Sequence, residues 1–165
     1  MLVDLVEPAL RELGTIIVEP DCPARDWTEP PSIEMLQRLL GKIGGQYPID
    51  AEKMLVVGYS MGGASVWHLA RYAPERFAAG VVMAGYPPDG LGEEQLAIPI
   101  YVIHSRADEV VPIMSAERIV SALREKGSQV EFVTVGGVTH FETTRFVQFL
   151  KQAVPWVKGV WCESG

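Results

Sequence analysis

The chain reads as a single α/β domain of about five mostly parallel strands, flanked by helices on both faces. Three observations carry that reading. Short apolar, β-branched runs alternate with stretches of helical periodicity along the whole chain, the pattern of a parallel sheet with crossover helices. The pentapeptide Gly58-Tyr59-Ser60-Met61-Gly62 stands between an apolar run, Leu55-Val56-Val57, and a helix-like run, Ala64 to Ala70. An acid and a histidine then follow in the order Ser60, Asp108, His140, each just past a predicted strand.

Taken in order, Leu2 to Leu13 has apolar residues at helical intervals, with Pro8 an irregularity and Gly14 a stop. Thr15 to Val18 is a short buried strand. Glu19 to Pro31 holds Pro20, Pro23, Pro30 and Pro31 together with Trp27, which makes it a long loop. Ser32 caps a helix to about Ile43, ended by Gly44-Gly45. Lys53 to Gly58 is the second strand and Met61 to Tyr72 the helix behind the serine. Gly80 to Ala84 is the third strand, with a turn over Tyr86 to Gly90. Pro99 to His104 is the fourth strand, Ile113 to Lys126 a helix, Gln129 to Val135 the fifth strand and Phe141 to Ala153 a last amphipathic helix. Trp156 and Trp161 lie in a tail and read as packing residues. No repeat or low-complexity segment interrupts this order, so residues 1–165 form one domain.

Bulk properties narrow the function classes. A chain of 165 residues, 48% hydrophobic and 21% charged, can bury a sizeable core. The net charge of −7, with Lys and Arg scattered singly, disfavours a nucleic-acid or anionic-membrane partner. No apolar run approaches the roughly 18 residues of a membrane span. Met1 to Glu7 carries acids where a secretory leader would carry positive charge, which points to the cytoplasm. Cys22 and Cys162 read there as unrelated thiols rather than a bridge. The three histidines are dispersed, with no metal-ligand spacing and no cofactor motif.

The pentapeptide has a chemical rationale. A serine at the tip of a tight strand-to-helix turn lifts its hydroxyl out of the sheet. Gly58 and Gly62 lack side chains that would clash as backbone folds on backbone. The Met61 N–H, at a helix N-terminus, faces a developing oxyanion. Such a serine needs a base, and the base an orienting carboxylate. Asp108, with Glu109 its immediate rival, follows the strand ending at His104. His140 stands in the loop after Gly136-Gly137. His68 lies two helical turns behind Ser60, and His104 reads as a support for the acid loop. Each site residue also has a bland reading: Asp108 as a turn acid, His140 as a surface cap.

These residues resemble the α/β-hydrolase superfamily, in its small carboxylesterase, phospholipase-like and dienelactone-hydrolase-like branch. The resemblance rests on Val56 to Ala64, Arg71 to Ala79, Ile98-Pro99-Ile100, Asp108 to Pro112 and Gly137 to His140, and it spans Leu2 to about Val157. It implies hydrolysis of a small-molecule ester through an acyl-enzyme on Ser60, without a cofactor, with His140 as base and Asp108 as its orienting acid. Tyr59, Trp27, Tyr86 and Val110, with Met61, are candidate pocket walls for short acyl chains. Such folds usually begin with three strands before the helix that opens this chain, and the third carries the loop that donates a second N–H to the oxyanion. Three consequences stay open: Thr15 to Val18 pairs directly with the elbow strand, a second subunit covers the exposed sheet edge as a homo-oligomer, or the chain is a fragment. A backbone N–H of the Asp21 to Trp27 loop, or the Trp27 indole, could replace the lost donor. The rival from another class is a non-catalytic truncated relic acting as an interaction domain. The absence of a cysteine nucleophile weighs against dienelactone chemistry itself.

Overall fold

The structure, a computed structural model, describes residues 2–163. Its centre is a four-stranded, wholly parallel sheet in sequential order: β1 (Leu55–Tyr59), β2 (Ala79–Met83), β3 (Ile100–Ser105) and β4 (Val130–Val135). The register pairs Tyr59 with Met83, Met83 with Ile103, and Ser105 with Val135, so the strands end at the same edge of the sheet, with β3 and β4 running two residues past the ends of β1 and β2. All residues of β2 and β3 are buried, as expected of central parallel strands covered on both faces.

Alternation along the strands separates two cores. On one face Val81, Met83, Tyr101 and Ile103 pack with the N-terminal turns and the last helix, through Leu5, Leu10, Phe146 and Leu150. On the other, Val82, Ile100 and Val102 pack with Val66, Trp67, Ile119 and Leu123. The first face is covered by α1 (Glu7–Leu10), entered through a π-helical turn, Leu2–Val6, and left through a 3-10 turn, Arg11–Leu13, that ends on Gly14 in the left-handed region, and by a later helix that runs to Glu163. Helices α2 (Pro30–Gln46), α3 (Met61–Tyr72), α4 (Ile113–Glu125) and α5 (Val147–Glu163) complete the chain.

Three elements depart from the sequence reading. Thr15 to Val18 is not a strand, so the sheet has four strands rather than five. The segment keeps a strand's alternation, with Ile17 against the core and Ile16 and Val18 exposed, but no ladder partner reaches it. β1 is therefore an edge, and among the described residues no strand pairs with its outer side. Direct pairing of Thr15 to Val18 with the elbow strand does not occur. Helix α2 begins two residues before Ser32, because prolines suit a first helical turn. Ser32 is buried inside it, donating to the Asp26 carbonyl at 2.7 Å, and Gly44-Gly45 does not end it. The last helix starts later than Phe141, after a 3-10 turn at Thr143–Phe146, and absorbs the tail through Pro155 to Glu163.

Candidate active site

The turn between β1 and α3 holds Ser60 at φ 52°, ψ −114°, a conformation few non-glycine residues adopt. Bonds on both sides keep it there: Ser60 N–H donates to the Met83 carbonyl at 2.9 Å, and the Ser60 carbonyl accepts from Ala64 N–H at 3.0 Å. The glycines around it divide unequally. A Cβ on Gly58 would stand 2.0 Å from the Gly62 carbonyl oxygen, so this close approach demands glycine. A Cβ on Gly62 would meet nothing within 4 Å, contrary to the clash expected there. The second close approach is instead Gly63 on Gly85, where added Cβ atoms would lie 2.9 Å and 2.6 Å from the facing backbone.

Asp108 and His140 converge on this serine. The His140 Nε2 lies 2.8 Å from Ser60 Oγ, and its Nδ1 lies 3.0 and 2.9 Å from the two Asp108 oxygens. A carboxylate only accepts, so Nδ1–H donates to Asp108, and in the neutral imidazole Nε2 then accepts from the serine hydroxyl. That is the tautomer a general base requires. His140 and Asp108 are buried, while Ser60 is partly accessible. Burial alone would raise the Asp108 carboxyl, but the bond from His140 and N–H donors from Val111 (2.7 Å) and Val110 (3.0 Å) hold it below its ordinary value. Asp108 stays ionised beside the imidazole.

His104 plays the supporting part expected of it. Its Nε2–H donates to the Val111 carbonyl at 2.8 Å and lies 3.5 Å from Asp108 Oδ2, which ties down the acid loop. Among the described residues its Nδ1 has no hydrogen-bond partner, and burial lowers its basicity, which favours the neutral ring. A stability prediction follows with a definite sign. Unfolded, this histidine takes up a proton as pH falls through 6.5, which the folded chain resists. Its contribution is therefore complete above that pH and declines below it, toward the depressed folded value. The more exposed His68, also lowered by burial, acts in the same direction. Thermal unfolding midpoints measured between about pH 5 and 8 should fall on the acid side, and His104→Gln should flatten that slope.

The remaining predicted residues differ in exposure and in their contacts with the three site residues. Met61 occupies the first position of α3, where a helix N–H has no intrahelical acceptor. Tyr86 and Val110 are exposed at the strand ends, each about half accessible. Tyr59 is not exposed to a pocket: it is buried, and its hydroxyl donates to the His140 carbonyl at 2.6 Å. Trp27 is half-buried in the loop before α2 and is not among the hydrogen-bond or ring partners of Ser60, Asp108 or His140. Sequence reasoning missed Phe141, whose exposed ring lies edge-on to His140 at 5.5 Å. It also weighed Glu109 only as a rival acid, whereas Glu109 accepts from the His140 backbone N–H at 3.0 Å. Their adjacency to the acid and the base was the available signal.

A model of the dienelactone hydrolase family matches residues 36–147, from α2 across the serine turn and the acid loop to just past His140. The chain belongs to the dienelactone hydrolase family. Solved structures agree on the fold. The chain superposes on a thermostable esterase with a TM-score of 0.70 at 24% identity, over 85% of its own length and 41% of the esterase's. It superposes on an alpha-beta serine hydrolase homologue from Coxiella burnetii with a TM-score of 0.65 at 23% identity, over 90% and 74% of the two chains. A bifunctional acetylxylan esterase/xylanase of Neocallimastix patriciarum is 23% identical over 93 residues, 56% of this chain and 14% of that protein. The chain thus spans less than half the length of both the thermostable esterase and the acetylxylan esterase/xylanase. This family member carries a serine at the elbow, and among its described residues no helix is long and apolar enough to cross a membrane.

Proposed function

We propose that the protein is a serine carboxylesterase acting on short-chain acyl esters through Ser60, His140 and Asp108. The observation that carries this is the continuous bond chain from Ser60 Oγ through His140 to Asp108, built on a strained serine turn. The chemistry runs in two halves. His140 Nε2 takes the hydroxyl proton as Ser60 Oγ attacks the ester carbonyl. The oxyanion forms toward the Met61 N–H, and Asp108 stabilises the imidazolium. His140 then returns the proton to the departing alcohol, leaving an acyl-serine. A water molecule, deprotonated by His140, attacks that acyl group, and the acid leaves as Ser60 regains its proton.

Met61, Tyr86, Val110 and Phe141 are exposed apolar side chains and the candidate walls for a short acyl group. Two surface hollows lie elsewhere, one along Val120, Arg124 and Phe132, the other beside Arg71 and Leu91. Neither is lined by the three site residues. The Met61 N–H supplies one oxyanion donor. A second comes from the Asp21 to Trp27 loop or the Trp27 indole, or is missing, which costs about 10²–10³ in kcat. The unpaired edge of β1 favours a second copy of the chain as partner, because free strand edges are commonly covered. Sedimentation of the purified chain reads that out.

Turnover of p-nitrophenyl acetate and butyrate, with mass-spectrometric detection of a fluorophosphonate adduct on Ser60, tests the enzymatic reading. Faster turnover of acetate and butyrate than of a long-chain ester is expected, with the adduct on Ser60. Background turnover and no adduct would favour the non-catalytic relic, in which the second oxyanion donor is missing.

A further inference from the structure

A base loop built on glycines has to be held by something. His140 follows Gly136, around which there is open space, and Gly137 at φ 65°. The loop then passes into the 3-10 turn of Thr143–Phe146 without a strand or helix of its own. Yet useful general-base chemistry requires Nε2 to stay within hydrogen-bond reach of Ser60 Oγ, and a misplacement of about 1 Å can cost roughly 10²-fold in rate.

His140 is held at four points, two on the ring and two on the backbone. The ring bonds go to Ser60 and Asp108. The backbone bonds go to their chain neighbours. The His140 carbonyl accepts from the Tyr59 hydroxyl at 2.6 Å, and Tyr59 immediately precedes Ser60. The His140 N–H donates to Glu109 Oε2 at 3.0 Å, and Glu109 immediately follows Asp108. We propose that Tyr59 and Glu109 are positioning residues that clamp the His140 backbone from both sides, keeping the imidazole in register with serine and acid. The inference rests on the reading of Ser60, His140 and Asp108 as a working triad.

Each half of the clamp suits its place. Tyr59 is buried, edge-on to Phe146 at 5.1 Å, so its ring is fixed before the hydroxyl makes its bond. Burial, with the Asp108 and Glu109 carboxylates nearby, raises its phenol and keeps it a donor. Glu109 is exposed, and one surface carboxylate bond contributes little to folding. A purely structural Glu109 would therefore be nearly silent in every measurement. A positioning Glu109 appears in rate and in the geometry of the imidazole.

The test compares Tyr59→Phe, Glu109→Ala, Glu109→Gln and the double variant Tyr59→Phe/Glu109→Ala with the unaltered chain. Three quantities are read: kcat and KM for p-nitrophenyl acetate per fluorophosphonate-reactive site, the unfolding midpoint, and the downfield proton resonance of the His140 Nδ1–H···Asp108 bond. That resonance is assigned by its loss in His140→Gln. Single variants should lose about tenfold in kcat and the double about 100-fold, with KM within about twofold. Glu109→Gln should recover most of the rate lost in Glu109→Ala, because its amide oxygen still accepts from the backbone N–H. The resonance should broaden or vanish in Tyr59→Phe and in Glu109→Ala, with the midpoint of Glu109→Ala nearly unchanged. Unaltered kcat and resonance in both single variants, or Glu109→Gln no better than Glu109→Ala, would overturn the clamp. A sharp resonance in the unaltered chain that the variants lose, without Ser60 labelling in any of them, would overturn the esterase reading and leave the clamp standing.

Discussion

Ser60→Ala should lower turnover of p-nitrophenyl butyrate to background, a loss of about 10⁴-fold or more, with no loss of folding stability. The mutation removes the atom that forms the acyl bond and leaves the Nε2 of His140 facing a methyl group at a site that is partly solvated. Among the described residues Ser60 makes no side-chain bond other than that to His140, so little native structure depends on its hydroxyl. A hydrogen replacing the hydroxyl does not change the strained φ of 52°, so the turn stays as costly as before. Asp108→Asn should cost nearly as much, about 10⁴ in kcat, for a different reason. The amide can offer N–H where the carboxylate offered only lone pairs, so His140 loses the partner that fixes Nδ1–H. The two Val110 and Val111 N–H bonds can persist to the amide oxygen, which makes the Asn variant a test of tautomer more than of loop structure. Steady-state kinetics on both variants, beside circular dichroism for folding, separates chemistry from collapse. Wild-type rates in Ser60→Ala would remove the serine mechanism.

Gly58→Ala is expected to be the most damaging of the small substitutions, whereas Gly62→Ala should be tolerated. The first places a methyl carbon 2.0 Å from the Gly62 carbonyl oxygen and 2.2 Å from its carbonyl carbon. Both are backbone atoms at the start of α3, so neither can swing aside as a side chain would. Relief requires the helix to move off the strand, which breaks the Ser60 N–H bond to Met83 and the lower edge of the core around Val66. A cost above about 4 kcal/mol is expected, a substantial fraction of a small domain's total stability. Gly62→Ala adds a methyl into open space within a helix, where Ala is favoured over Gly by up to about 1 kcal/mol. Chemical denaturation of the two variants should therefore move the midpoint in opposite directions. Equal effects would mean that the turn relaxes in a way the close approach does not allow.

The two Gly substitutions also show where local pattern stops being informative. Gly-x-Ser-x-Gly identifies the turn and its serine, since both glycines belong to one recognisable spacing. Which glycine is sterically required depends on where α3 lies against β1 and on the backbone of Ala84-Gly85 beyond β2. That second contact, Gly63 on Gly85, joins residues with no sequence relation between them. Thr15 to Val18 shows the same limit. Its β-branched, alternating residues are those of a strand, and its alternation survives in the structure, but a strand exists only where a neighbour offers a ladder. Likewise Ser32 reads as a helix cap from its residue type, while two prolines and the Asp26 carbonyl place it inside the first turn.

The sequence by itself determined the α/β class, the strands from Leu55 onward, the turn that carries Ser60, and the chain order of serine, acid and histidine. These are legible because each is written locally: apolar runs of strand length, helical spacing, and a glycine-framed turn between them. The tertiary structure alone decided the convergence of three residues spread over eighty positions, which partner each ring nitrogen of His140 faces, and the pairing of its backbone with Tyr59 and Glu109. It also decided that Thr15 to Val18 stays unpaired and that β1 is an edge. Hydrogen-bond geometry and ladder pairing are relations between distant segments. Only the parallel register, which brings the C-terminal ends of β1, β3 and β4 to one edge of the sheet, sets them.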